Sequence, residues 1–248
     1  MPFVLSFLHH QLVRKLPVPT TSYQGKTVII TGSNVGLGLE ATRWIIRLGA
    51  SRVILACRNV EKGKAAVRDI QATTKCSSDT LEVWQLDMAS YTSVQAFATR
   101  AKTELPRLDV FIANAGINSH EFNLIEDNEA MVTINLVSLF LLGFLLYPML
   151  RETATQHKTQ TYFTTTSSDL HQLAKFEERK APTGQIFAAL NDKTKFNAGD
   201  RYPTSKLLEI LIVREMAALS PLETRNVIIN CVSPCWNIVY IIGGYYVY

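Results

Sequence analysis

At 248 residues, 47% hydrophobic and 19% charged, the chain is long enough for one large α/β domain with a full core, and its composition excludes disorder. The net charge of +4 is spread thinly, with no Lys/Arg run or arginine-rich stripe; it suits an anionic ligand and gives no support to a nucleic-acid partner. Cys57, Cys76, Cys231 and Cys235 form neither a disulfide framework nor a C-x-x-C pair, and no His cluster completes a zinc site, so no metal is expected and a reducing, cytoplasmic setting fits.

Residues 1–24 read as a leader ending in a Pro-rich linker. Its basic residues follow its apolar start, the reverse of a signal peptide, so the expectation is an arm lying on the domain or, more weakly, peripherally on a membrane. The domain is placed at 25–234. It opens with a β-branched run, Thr27–Ile30, of the kind that makes a buried strand. Gly32, Gly36 and Gly38 follow, with Leu37 between the last two. Then Ala41, Trp44, Ile45 and Leu48 recur at helical spacing up to Gly49. Strand, glycine turn and helix form a unit that binds a dinucleotide pyrophosphate: the glycines let the backbone approach the phosphates, and the first helical turn presents free N–H groups. The spacing differs from G-x-G-x-x-G, and a glycine turn without a ligand is the competing reading.

Downstream, Arg52–Ala56 reads as a strand, with a charged helix from about Glu61 to Ala72. LEVWQLD gives a third strand ending at Asp87, then a helix over Ser90–Leu105. Leu108–Ala113 is a fourth strand, ending in Asn114-Ala115-Gly116. Ala130–Leu150 carries no charge over 21 residues, but Asn135, Ser138 and Pro148 within it favour a buried helix over a membrane span. Tyr162–Thr166 is a fifth strand running into Ser167-Ser168. A polar stretch over Asp169–Asp200, a helix over about Tyr202–Leu219 and a sixth strand over Asn226–Val232 complete the domain. Alternation throughout predicts an α/β fold: a Rossmann-type doubly wound parallel sheet in a single domain, with ligands at the carboxyl ends of the strands. Residues 235–248 form a divergent apolar tail.

Tyr202 and Lys206, four apart on a helix, share a face. A tyrosine near pKa 10 is a poor base, and a neighbouring ammonium brings the phenolate toward neutral pH. Such a pair is also common on plain helix surfaces. Ser168 stands at a strand end, where a hydroxyl can polarise a carbonyl or simply cap a turn. Asn135 is the least expected residue of its apolar helix; its plain reading is a satisfied buried amide.

Together these residues resemble the short-chain dehydrogenase/reductase family. The resemblance covers about Gly25 to Pro234, through Thr31-Gly32-x-x-x-Gly36-x-Gly38, Asp87, Asn114-Ala115-Gly116, Asn135, Ser168, Tyr202-x-x-x-Lys206 and Ser233-Pro234. It implies that Tyr202 is the general acid/base and that Ser168 polarises the carbonyl. Lys206 would hold the nicotinamide ribose and Asn135 a relay water, while Asp87 would contact the adenine edge and Asn114 would lie beside the cofactor. At the end of the second strand, Ala56-Cys57-Arg58-Asn59 lacks the carboxylate that favours NAD; Arg58, helped by Lys62, suits the 2′-phosphate of NADP(H). The stretch holding His171 and GQIFAALNDKTKFNAGDRY is similar to the retinol-dehydrogenase-like branch and its fungal relatives. This implies a small, apolar or polyketide-like carbonyl or secondary alcohol of secondary metabolism as substrate. The apolar helix of Asn135 corresponds to one that pairs subunits in relatives, which implies a homodimer; the plain alternative is that the same face is buried within one chain. Relatives have Pro-Gly where this chain has Pro234-Cys235, and they continue into a lid and a last strand. The chain therefore reads as C-terminally shortened, and a nucleotide-binding but impaired member is the alternative.

Overall fold

The computed structural model describes residues 18–220 and 226–234. Six parallel strands form the main sheet: β1 (Thr27–Thr31), β2 (Arg52–Cys57), β3 (Leu81–Gln85), β4 (Val110–Ala113), β7 (Thr161–Thr166) and β8 (Val227–Val232). Their order is β3-β2-β1-β4-β7-β8, the doubly wound arrangement expected, and the direction of winding reverses between β1 and β4. A two-residue hairpin, β5 (Leu124–Ile125) with β6 (Asn128–Glu129), stands apart from the sheet. Its turn holds Glu126 at φ +53°, and no sequence periodicity can announce strands two residues long.

The period of two along β1 distributes its side chains between two cores. Val28 and Ile30 join Val53 and Leu55 beneath the helices α1 (Gly36–Arg47) and α2 (Val60–Thr74). Ile29 points the other way, into a larger core with Ile54, Trp84, Phe111 and Phe163. That core is covered by α3 (Tyr91–Glu104), α4 (Ala130–His157) and α6 (Ala198–Leu219). α4 is long and apolar enough to cross a membrane by composition, yet it is mostly buried in the fold, as its Asn, Ser and Pro content predicts.

The end of β3 and the start of α6 depart from expectation. β3 stops at Gln85 because the turn captures Asp87: its Oδ1 accepts the Ala89 N–H at 2.9 Å, and its own N–H donates to Ser93 Oγ at 2.9 Å. α6 begins at Ala198, a turn early, because Asn197 caps it by accepting the Gly199 N–H at 3.0 Å. The polar stretch before α6 folds into short 3₁₀ turns (Asp169–Leu173, Glu177–Lys180, Lys193–Lys195) and the helix α5 (Ile186–Leu190). The expected N-terminal arm, apart from its linker end, and the apolar tail with its bearing on an impaired member lie outside the described residues.

Candidate active site

The glycine turn is closed by contacts that no side chain could enter. Gly32 and Gly36 both take φ +65°, and a Cβ on Gly38 would stand 2.5 Å from the Gly32 carbonyl oxygen and 2.9 Å from Ser33 Cα. Ser33 is buried beneath, its hydroxyl donating to the Ile30 carbonyl at 2.9 Å. α1 starts at Gly36 after Val35, which supplies no side-chain cap, and has no acid in its first turn, which includes Leu37, so its leading N–H groups and positive dipole end are left for an anion.

Asn114 locks this turn to the winding reversal. Its Nδ2 donates to the carbonyls of Thr31 at 3.0 Å and Gly32 at 3.3 Å. The Thr31 hydroxyl in return accepts the N–H groups of Asn114 (3.0 Å) and Ala115 (2.9 Å). Arg58 follows β2 on the same sheet edge. It is exposed, as is Lys62 in the first turn of α2, whose N–H is capped by Asn59 at 2.9 Å. Neither cation enters an ion pair among the described residues, and no acid intervenes between Cys57 and Val60. Asp87 lies one strand further along, its carboxylate engaged with Ala89.

On the other side of the reversal, β7 ends in Ser167 and Ser168, which face different ways. Ser167 is buried with its hydroxyl on the Lys206 carbonyl at 3.4 Å, whereas Ser168 is half-buried at the mouth of the following turn. Ser168 also does the plain work of a cap, accepting the Leu170 N–H at 3.3 Å, and its carbonyl pairs with His171 Nδ1 at 2.7 Å. α6 packs along this turn. Tyr202 is half-buried and Lys206 is 4% exposed, with Nζ 6.0 Å from the centre of the Tyr202 ring. The Lys206 ammonium donates to the Thr166 carbonyl and to Glu209 Oε2, each at 2.7 Å.

Asn135 is fully buried in a π-helical turn of α4, Thr133–Ser138. Its Oδ1 accepts the Ile117 N–H at 2.8 Å, while Nδ2 donates to the Ile117 carbonyl at 2.9 Å and to Ser205 Oγ at 3.1 Å. All three bonds clip the loop after β4 to α4 and α6, so the amide itself is satisfied by protein and no N–H is left for a water. Gly116 lies between: a Cβ there would be 3.2 Å from Asn135 Oδ1 and 3.8 Å from Lys206 Nζ.

A family model described as short chain dehydrogenase matches residues 26–160. A short chain dehydrogenase/reductase of the fungus Cryptosporiopsis (dmxR8) is 53% identical over 232 residues, 93% of this chain and 72% of that protein. The chain belongs to the short-chain dehydrogenase/reductase family. That family is one of oxidoreductases. A short-chain dehydrogenase of Penicillium roqueforti (anuD) is 43% identical over 234 residues, 93% of this chain and 60% of that protein. The chain thus spans 60 to 72% of the length of these two relatives. Among solved structures, a short chain dehydrogenase from Salmonella enterica serovar Typhi CT18 matches with a TM-score of 0.65 at 22% identity, over 89% of this chain and 80% of that one. One from Shigella flexneri 2a, solved with NADP, gives 0.64 at 23% identity over 88% and 80%. At these identities the two structures speak for the fold.

Two buried groups beside the family's motif residues went unnoticed in the sequence. Glu209, wholly buried, stands one turn beyond Lys206; burial pushes its carboxyl up, and the Lys206 ammonium, then the Thr165 hydroxyl, pull against it. Its only sequence signal is the i,i+3 spacing. Arg201, 2% exposed, precedes Tyr202. Its guanidinium lies 3.6 Å from Glu129 Oε2 and 3.0 Å from Glu178 Oε1, donates to the Leu190 carbonyl at 3.1 Å, and sits over the Phe196 ring. It therefore pins the stretch between Ser168 and Tyr202 to the start of α4. No local pattern links these five positions, which only the fold brings together.

Proposed function

We propose that this chain is an NADP(H)-dependent oxidoreductase acting on the carbonyl or secondary alcohol of a small, apolar, polyketide-like metabolite. The observation that carries the reading is the pairing of Tyr202 with a buried, fixed ammonium on the same edge of the sheet as the uncapped glycine turn. The residues fit the cofactor. The Gly32–Gly38 turn and the first turn of α1 suit a pyrophosphate, and Arg58 with Lys62 suits a 2′-phosphate in a place without a carboxylate. Bound NADP(H) would supply or accept the hydride at the substrate carbon. Tyr202 would give or take the proton at the substrate oxygen. Lys206 would favour its phenolate and hold the ribose, and Ser168 would donate a hydrogen bond to the same oxygen. Asn135 would shape the floor by clipping Ile117, and Asn114 would fix the backbone beside the nicotinamide. Fungal relatives named as short-chain dehydrogenases support the oxidoreductase class and fit a role in secondary metabolism. Phe144 and Leu211, exposed on α4 and α6, support pairing with a second copy.

Titration of the chain with NADPH and NADH, followed by nucleotide fluorescence, tests the cofactor half. NADPH is expected to bind at least about tenfold more tightly, and Arg58→Ala to abolish most of that preference, as loss of a charge-assisted contact predicts. Tyr202→Phe is expected to bind NADPH normally and to lose turnover of a carbonyl substrate. No NADPH binding by folded protein would refute the reading.

A further inference from the structure

The ammonium of Lys206 has three N–H donors, and two are spent on the Thr166 carbonyl and Glu209 Oε2. These two bonds fix the nitrogen below the sheet edge and leave the third donor for whatever lies above. Gly116, with no side chain, keeps the space between Asn135 and Lys206 open. Both charged groups are out of water: Lys206 is 4% exposed and Glu209 is 0% exposed. A lone ammonium so buried would shed its proton readily, and a lone carboxylate would hold one. Among the described residues Glu209 Oε1 makes no hydrogen bond within normal length; the Thr165 hydroxyl, itself unpaired, is the neutral group beside it, and the lysine is its charged contact. Among the described residues, the other groups facing the pair are the neutral Thr165 and Thr166 on β7, the Cys231 thiol on β8, and Tyr202 on α6. Burial, then the charge of Glu209, pushes the Cys231 thiol up, so it stays neutral and supplies no counter-charge.

We propose that Glu209 is a positioning residue of the site: its carboxylate is the counter-ion that holds the Lys206 ammonium charged and aimed at the ribose of the cofactor and at Tyr202. The inference rests on the NADP(H) reading above. It adds a fifth side chain to the working set, one that touches neither substrate nor cofactor and acts only through Lys206.

The test is NADPH titration of the full chain between pH 6 and 9 for wild type, Glu209→Gln and Glu209→Asp. Wild type should bind with an affinity nearly flat in pH. Glu209→Gln keeps the shape but not the charge. It should bind about tenfold more weakly at pH 7, and more weakly still as pH rises, because the unpaired ammonium discharges. Glu209→Asp restores the charge and should recover a flat profile. A pH-independent loss in Glu209→Gln, or none, overturns the proposal, since a merely structural role would not change with pH. Melting temperatures supply a second arm. Lys206→Gln/Glu209→Gln, which removes both charges together, should be more stable than Glu209→Gln alone, whereas additive losses overturn the pairing. If wild type binds no NADPH, the cofactor reading has failed, and the melting comparison still decides whether the two charges depend on one another.

Discussion

Under β1, β2 and β3 the sealed side chains are Val28, Ile30, Ile45, Val53, Leu55 and Ile70, almost pure hydrocarbon. The buried charge there, Arg43, reaches outward to Glu40 and to the half-exposed Asp69. Across the winding reversal, Lys206 and Glu209 are buried beside β7 and β8, and Glu129 and Arg201 are buried where α4 and α6 begin, each no more than 4% exposed. On the reading proposed above, the first half would present mainly backbone to the cofactor, glycine amides and a helix start, with two surface cations beside them. The second presents side chains whose charge and direction must be held from below. Backbone needs only an apolar platform and room for close approach. A charged side chain in a protein interior needs a partner, and that partner needs another, so polarity extends inward.

The sharpest way to break this contrast is to unpair a charge in the second half. Arg201→Ala leaves buried Glu129 with only the Met131 and Val132 N–H groups and no cation, and removes the partner of Glu178. A loss of about 3–5 kcal/mol is expected, or roughly 10 °C in melting temperature for a chain of this size. The stretch ahead of Tyr202 should also become the first cleaved by protease. A melting curve like that of wild type would show the cluster to be dispensable.

In the first half the vulnerable feature is volume. Gly38→Ala places a methyl 2.5 Å from the Gly32 carbonyl oxygen, a backbone atom that cannot rotate away. Overpacking of this kind costs about 1–3 kcal/mol, less than an unpaired buried charge, and NADPH affinity should fall further than stability because the turn itself must open. An alanine variant that binds NADPH as wild type does would mean the turn has slack that these contacts do not show.

The same contrast governs what could be read in advance. The glycine turn, the alternation of strands with helices and the burial of β1 follow from short-range patterns, because backbone sites are written in consecutive residues. The Tyr202–Lys206 pair was legible from its spacing and Ser168 from its place at a strand end. Glu209 was not, since LLE after the lysine looks like any amphipathic turn until the fold closes over it. Arg201, Glu129 and Glu178 meet from three separate segments. The π turn at Asn135 was invisible because its cause, the loop at Ile117, lies 18 residues upstream in the chain. Asp87 lies beyond the strand that its sequence suggests, because its turn-forming bonds to Ala89 and Ser93 outweigh two more β residues.

The smallest effect expected distinguishes the halves by pH. Burial pushes the Glu129 carboxyl up, opposed by the Met131 and Val132 N–H groups and by Arg201. An unfolded glutamate titrates at about 4.3. Between that pH and the raised native value, the folded chain keeps a proton that the unfolded chain has released. Stability contributed by this group is therefore complete below about pH 4.3 and is lost as pH rises through the native value. Glu129→Gln mimics the protonated form at every pH. Its stability relative to wild type should thus rise with pH across that window, by at most about 1.4 kcal/mol per pH unit, as read from urea melts of the two proteins in parallel. All other titrating groups are common to both chains and cancel in the difference. Parallel stability curves would mean that Arg201 and the helix N–H groups fully offset burial at Glu129, and the charge-bearing half would then be no more sensitive to pH here than its hydrocarbon neighbour.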